Sequence, residues 1–122
     1  MSKTIMIVDD SASTRQLVSL VLGGAGYEVI ESCDRKDALA KLNGRKVHLI
    51  ISDVNVPNMD GISFVQAVRG LPEHKFSPIV MLSMGLVSSS REQARESGVK
   101  AWISKPVDKP QLLDAVARFA LP

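Results

Sequence analysis

The chain reads as a three-layer α/β fold, a parallel five-stranded sheet with helices on both faces. Three observations predict it. Two continuous apolar runs, Ile5-Met6-Ile7-Val8 and Leu49-Ile50-Ile51, have the pattern of strands buried on both faces of a parallel sheet. Each run ends in carboxylates, Asp9-Asp10 and Asp53, where turn formers begin. Strand-like runs then alternate with helical segments five times, which requires parallel pairing and right-handed crossovers. At 122 residues the common solution is the flavodoxin-like (βα)5 arrangement with strand order 2-1-3-4-5.

The elements follow in order. After the first run, Ser11 and Ser13 can cap a helix, and Leu17, Val18, Leu20, Val21 and Leu22 give it a broad apolar face. Gly23-Gly24-Ala25-Gly26 stops it. These glycines follow a helix, so they are not a dinucleotide fingerprint, which follows a strand. Tyr27 to Glu31 alternates as an edge strand would. Asp34 caps a second helix carrying Ala38, Leu39 and Leu42, which Asn43-Gly44 ends. Val47 to Ile51 forms the central strand and delivers Asp53 to its end. A third helix spans Gly61 to Arg69, with Phe64, Val65 and Val68 inward, and Gly70-Leu71-Pro72 breaks it. Pro78 to Ser83 is the fourth strand. Ser88–Ser97 is a fourth helix almost without apolar anchors, so it should be the least stable element. Ala101 to Ser104 is the fifth strand, followed by Lys105-Pro106. Asp108 and Gln111 open a last helix with Pro110 in its first turn and Leu112, Leu113, Val116 and Phe119 facing the core.

Composition narrows the class. The chain has room for one domain, residues 1–122, and its 45% hydrophobic and 23% charged content is that of an ordinary soluble protein. A net charge of +2, with scattered basic residues and no interleaved aromatics, argues against nucleic acid as a partner. The single cysteine, Cys33, excludes an internal disulfide and fits a reducing cytosol. No stretch suits a signal peptide or a bilayer span, so a cytoplasmic location without membrane insertion is expected.

Four strand ends carry polar groups at one sheet edge: Asp9-Asp10, Asp53, Ser83 and Lys105. In a parallel sheet these converge although distant in sequence. Singly each has a plain alternative: a turn before a helix for the acidic pair, a strand-end hydroxyl for Ser83, a solvated charge for Lys105. Their agreement is the signal. Carboxylates sharing a crevice repel by about 4 kcal/mol per pair at ~4 Å and an effective dielectric of ~20. Protonation of one would relieve this. So would a divalent cation, and an all-oxygen donor set without His or Cys favours Mg²⁺ or Mn²⁺ over zinc. Lys105 and Ser83 suit phosphate oxygens, and Asp53 suits the role of a nucleophile receiving a phosphoryl group. A calcium loop starting at Asp53 fails, because Pro57, Asn58 and Phe64 stand at its fifth, sixth and twelfth positions. His48 and His74 have no partners at ligand spacing and read as surface or strand-end residues. Met6, Met81 and Cys33 read as core or edge fillers.

Taken together, Asp9-Asp10, the Asp53 to Asp60-Gly61 stretch with Pro57, Ser83 and Lys105-Pro106 resemble the receiver domain of two-component response regulators over essentially the whole chain. The resemblance implies that Asp53 accepts a phosphoryl group from a phosphohistidine on a sensor histidine kinase. It implies that Asp9, Asp10, Asp53 and the Asn55 backbone carbonyl hold Mg²⁺, with Ser83 and Lys105 gripping the phosphoryl oxygens. It also implies a cis Lys105-Pro106 bond and a switch coupling Ser83 to Trp102. That switch would repack the face made by the fourth helix, fifth strand and fifth helix; Trp102 also reads as a simple core or edge residue. Such a protein is a signalling phosphoacceptor rather than an enzyme, with a possible phosphatase partner and a monomeric unphosphorylated state. With the chain stopping at Pro122, output is expected through protein partners, as in chemotaxis regulators of the CheY type that bind the flagellar motor switch. A phosphorelay intermediate or a regulator of another pathway would share the same core.

Two residues depart from the family pattern. Met84 is bulky where a small residue usually follows the switch hydroxyl, and Gly85 lies where the family varies its hydrolysis rate. Rival classes fit less well. A haloacid-dehalogenase-type phosphatase would need a second Asp two residues after the nucleophile of its first strand, which Asp9-Asp10-Ser11 lacks. A flavodoxin-like FMN carrier would need a Ser/Thr- and Gly-rich phosphate loop after that strand.

Overall fold

The computed structural model describes residues 3–53, 61–83, 99–104 and 107–120, with side chains omitted at 61, 62, 83 and 104. In chain order the elements are β1 (Thr4–Val8), α1 (Ala12–Gly24), β2 (Glu28–Ser32), α2 (Arg35–Leu42), β3 (Leu49–Asp53), α3 (Gly61–Arg69), a 3₁₀ turn (Pro72–His74), β4 (Ile79–Ser83), β5 (Val99–Ser104) and α4 (Lys109–Phe119). The strands form one parallel sheet ordered β2-β1-β3-β4-β5, as expected from the sequence. The fourth helix expected at Ser88–Ser97 lies outside the described residues, so the C-terminal helix is the fourth described here.

Helix starts obey the local signals. Ser11 caps α1 by accepting from the Thr14 amide at 3.3 Å, and Asp34 caps α2 by accepting from the Asp37 amide at 2.8 Å. Asp108 caps α4 by accepting from the Gln111 amide at 3.1 Å, with Pro110 in the first turn. Gly44 closes the turn after α2 at φ 74°, a conformation that suits glycine.

Alternate strand residues point to opposite faces and build two apolar layers. Met6, Val8, Ile50, Ile79 and Met81 pack with Ala38, Leu42, Phe64, Val65 and Val68 of α2 and α3. Ile5, Ile7, Leu49, Ile51, Val80, Leu82 and Ile103 pack with Val18 and Leu22 of α1 and Leu112, Ala115 and Val116 of α4. Each fully buried Val, Leu or Ile contributes roughly 1.5–3 kcal/mol. All five residues of β3 are buried, which places it centrally and fixes where Asp53 emerges.

Two expectations are corrected. The apolar face of α1 is narrower than its sequence suggests: Val18 and Leu22 are buried, whereas Leu17 is 41% and Leu20 77% exposed. Leu20 lies two residues from both buried positions, about half a turn round a 3.6-residue helix, so it points away from the sheet. His74 is not a surface residue but is 1% exposed. Its Nε2 lies 2.9 Å from the Leu42 carbonyl, to which it donates, leaving Nδ1 to accept from Ser77 Oγ at 2.9 Å. Nearby, Arg69 donates to the carbonyls of His74 (3.1 Å) and Ser77 (2.6 Å), and burial pushes its guanidinium pKa down. This cluster ties the end of α2 to the α3–β4 connection.

Candidate functional site

The register sets the site. Val8 pairs with both Ser32 and Ser52, Asp53 with Leu82, and Ser83 with Ser104, so the carboxyl ends of the strands finish nearly level. Asp9, the residue after β1, therefore stands beside Asp53, the last residue of β3. One carboxylate oxygen from each of Asp9, Asp10 and Asp53 lies within 4.8 Å of the other two. Asp9 is fully buried, Asp53 is 5% exposed and Asp10 faces solvent.

Asp9 is held from several sides. Its amide donates to the Ser32 carbonyl at 3.1 Å, and its Oδ1 accepts from the Ser11 amide at 2.9 Å. Its carbonyl accepts from Arg15 Nη1 at 2.6 Å, while Arg15 Nε lies 3.5 Å from Glu31 on β2. The side-chain bond to Ser11 folds the chain directly into the start of α1, whose N-terminal dipole favours anions nearby. The carbonyl of Asp53 accepts from Ser52 Oγ at 3.2 Å and from the guanidinium of Arg35. Main-chain bonds thus hold both acidic residues, and the Ser11 amide also holds the Asp9 carboxylate, at the point where the carboxylates converge.

The donor set is hard, anionic and open to solvent on the Asp10 side, with no His or Cys in it. That chemistry fits Mg²⁺ or Mn²⁺, which take a few carboxylates and keep other positions for water or phosphate oxygens.

Of the residues singled out in the sequence, Asp9, Asp10 and Asp53 are brought together. The backbone of Ser83 ends β4 beside Ser104 of β5. Trp102 lies on β5, paired with Met81 and partly buried against the layer of α2 and α3. Asn55, Met84, Gly85, Lys105 and Pro106 lie outside the described residues. Arg15 and Arg35 were not anticipated. A signal for Arg35 did exist, because a cation in the first turn of a helix opposes the helix dipole and needs a tertiary reason to be there.

Comparison with known proteins agrees with this geometry. The family model described as the response regulator receiver domain matches residues 5–117. The structure of Vibrio cholerae chemotaxis protein CheY4 superposes with a TM-score of 0.93 at 39% identity, covering 98% of this chain and 99% of that one. Sensor histidine kinase RcsC of Salmonella typhi is 34% identical over 95% of this chain, which spans only 12% of the kinase's length. The receiver domain of sensor histidine kinase PA1611 from Pseudomonas aeruginosa, with a magnesium ion coordinated in its active site cleft, shares the fold at a TM-score of 0.87 and 22% identity, with 98% of each chain covered.

Proposed function

We propose a phosphoacceptor function on one premise: the chain belongs to the response regulator receiver domain family. The observation that carries the reading is the approach of the Asp9, Asp10 and Asp53 carboxylates to within 4.8 Å at the end of the sheet. In this reading an Asp53 carboxylate oxygen attacks the phosphorus of a phosphohistidine on a sensor histidine kinase. A P–O bond forms, the P–N bond breaks, and its electron pair leaves on the imidazole nitrogen, which takes a proton from solvent. The buried main-chain anchors of Asp53 hold the nucleophile in line for that attack. Asp9, Asp10, Asp53 and the Asn55 carbonyl would hold Mg²⁺, with Mn²⁺ as a substitute. Bound there, the ion supplies positive charge that offsets the carboxylates and the phosphoryl oxygens. Ser83 and Lys105 would hold the remaining phosphoryl oxygens.

The acyl phosphate replaces one carboxylate by a group of higher charge. In the proposed switch it draws in the Ser83 hydroxyl, and Trp102 turns to repack the surface around β5. The protein then acts as a switch for partner binding, a monomer before phosphorylation, and not as a multiple-turnover enzyme. The 39% identity to chemotaxis protein CheY4, over 98% of this chain and 99% of that one, favours a chemotaxis output at the flagellar motor switch. Similarity to a stretch of sensor histidine kinase RcsC supports the alternative of a phosphorelay intermediate.

The test is phosphorylation by acetyl phosphate, read by phosphate-affinity electrophoresis. One phosphoryl group per chain is expected in MgCl₂, with none after EDTA or in Asp53→Asn. Incorporation into the Asp53→Asn variant would move the acceptor elsewhere. Binding of the beryllofluoride-loaded protein to a purified motor-switch protein or to a histidine phosphotransfer protein separates the two outputs.

A further inference from the structure

The end of the sheet opposite the acidic cluster carries a second polar hollow. Arg45, Lys46, His48, Glu73 and Ser77 line a cavity of about 400 Å³ there, a size that suits a small molecule. His48 precedes β3 and Asp53 ends it, so the two places lie roughly 16 Å apart at ~3.3 Å per residue. Gly44, at φ 74°, turns the chain out of α2, and the Arg45 amide donates to the Leu42 carbonyl at 3.1 Å. The loop bearing the two cations is therefore held by its main chain. Arg45 and Lys46 are exposed, and neither side chain makes a hydrogen bond or ion pair to another described residue. Among the described residues Glu73 is the one acid of the lining.

The third donor is set by geometry. His48 Nδ1 accepts from the Thr4 amide at 2.9 Å. A ring nitrogen that accepts carries no proton, so His48 holds its hydrogen on Nε2 and donates from there. Ser77 Oγ gives its own hydrogen to His74, which leaves Arg45, Lys46 and His48 as the side-chain donors of the hollow. A guanidinium fork, an ammonium point charge and a directed imidazole N–H together match a tetrahedral oxyanion. We propose that this hollow binds the phosphate group of a small phosphoester, or free inorganic phosphate, through Arg45, Lys46 and His48 Nε2. The site stands apart from the phosphoacceptor chemistry proposed above and does not depend on it.

The experiment is proton–nitrogen NMR of the full chain in EDTA, titrated with inorganic phosphate and separately with ribose 5-phosphate, against sodium chloride at equal ionic strength. Saturable shifts are expected at the amides from Gly44 to His48 and at the His48 ring nitrogens, with phosphate and not with chloride. Tighter binding of ribose 5-phosphate marks a phosphoester as the ligand; equal or weaker binding marks the free anion. Arg45→Gln and Lys46→Gln, both exposed changes, should each weaken binding about ten-fold, the loss of one charge-assisted bond. His48→Asn keeps an acceptor for the Thr4 amide in Asn Oδ1 but loses the Nε2 donor, and a similar weakening is expected. Asp53→Asn should bind phosphate as wild type does. Shifts that never saturate, that chloride reproduces, or that survive Arg45→Gln and Lys46→Gln would reduce the two cations to solvated surface charge and overturn the proposal. Shifts centred on Asp9, Asp10 and Asp53 and lost in Asp53→Asn would overturn it too, by placing the anion at the other end of the sheet.

Discussion

Replacing Asp53 by Asn should stabilise the metal-free protein. The substitution keeps the shape of the side chain and removes one charge from a buried pair. Asp9 and Asp53 are 0% and 5% exposed, with carboxylate oxygens no more than 4.8 Å apart. At that distance and an effective dielectric of ~20, two like charges repel by about 3 kcal/mol. Solvent reaches the cluster on the Asp10 side and main-chain donors hold Asp9, so a net gain of about 1–2 kcal/mol is expected once screening is counted. Urea unfolding in EDTA measures it directly, provided the slope with denaturant stays at the wild-type value. The same titration in MgCl₂ should close or reverse the gap, because wild type gains from the ion and the variant gains less. An Asp53→Asn protein no more stable than wild type in EDTA would mean that the three carboxylates do not strain one another. The electrostatic reason for placing a metal there would then be gone.

Two further outcomes follow from contacts elsewhere. His74→Ala leaves the Leu42 carbonyl and Ser77 hydroxyl without their buried partner and opens a cavity, so a loss of about 2–4 kcal/mol is expected in urea unfolding; a loss below about 0.5 kcal/mol, the range of ordinary surface changes, would refute the buried tie. The hydrogen bond from Lys41 holds the Asp37 carboxyl below its ordinary 3.8, so this pair stabilises the fold above that value and loses its effect as pH falls through the lowered one. Unfolding free energies of wild type and Asp37→Asn in urea should differ by about 0.5 kcal/mol or less at neutral pH for so exposed a pair, and converge in acid; a gap that widens on acidification would contradict the assignment.

Much of the fold was legible because its signals are local. A run such as Ile5-Met6-Ile7-Val8 fits a two-sided buried strand and little else, and Ser11, Asp34 and Asp108 each cap the helix they precede. The acidic cluster was legible for a related reason: parallel strands of similar length end at one edge, so carboxylates placed at their ends must approach. Leu20 marks where pattern reading stopped. An apolar residue on an amphipathic helix looks inward until the sheet is in place to show which half-turn it covers. His74 failed similarly, since its partner Leu42 ends another helix 32 residues away in the chain and no spacing announces it.

The sequence by itself determined the alternation of strands and helices, the layer architecture and the polar strand ends at Asp9, Asp10 and Asp53, because periodicity, capping and strand polarity are properties of short segments; the strand order was the common solution for a chain of this size. Only the tertiary structure decided what surrounds that meeting point: Arg15 on the Asp9 carbonyl and a fully buried Arg35 on the Asp53 carbonyl. The physical reason is reach. A long cationic side chain can serve any group within several ångströms of its backbone, and which group that is depends on how helices from distant parts of the chain settle on the sheet.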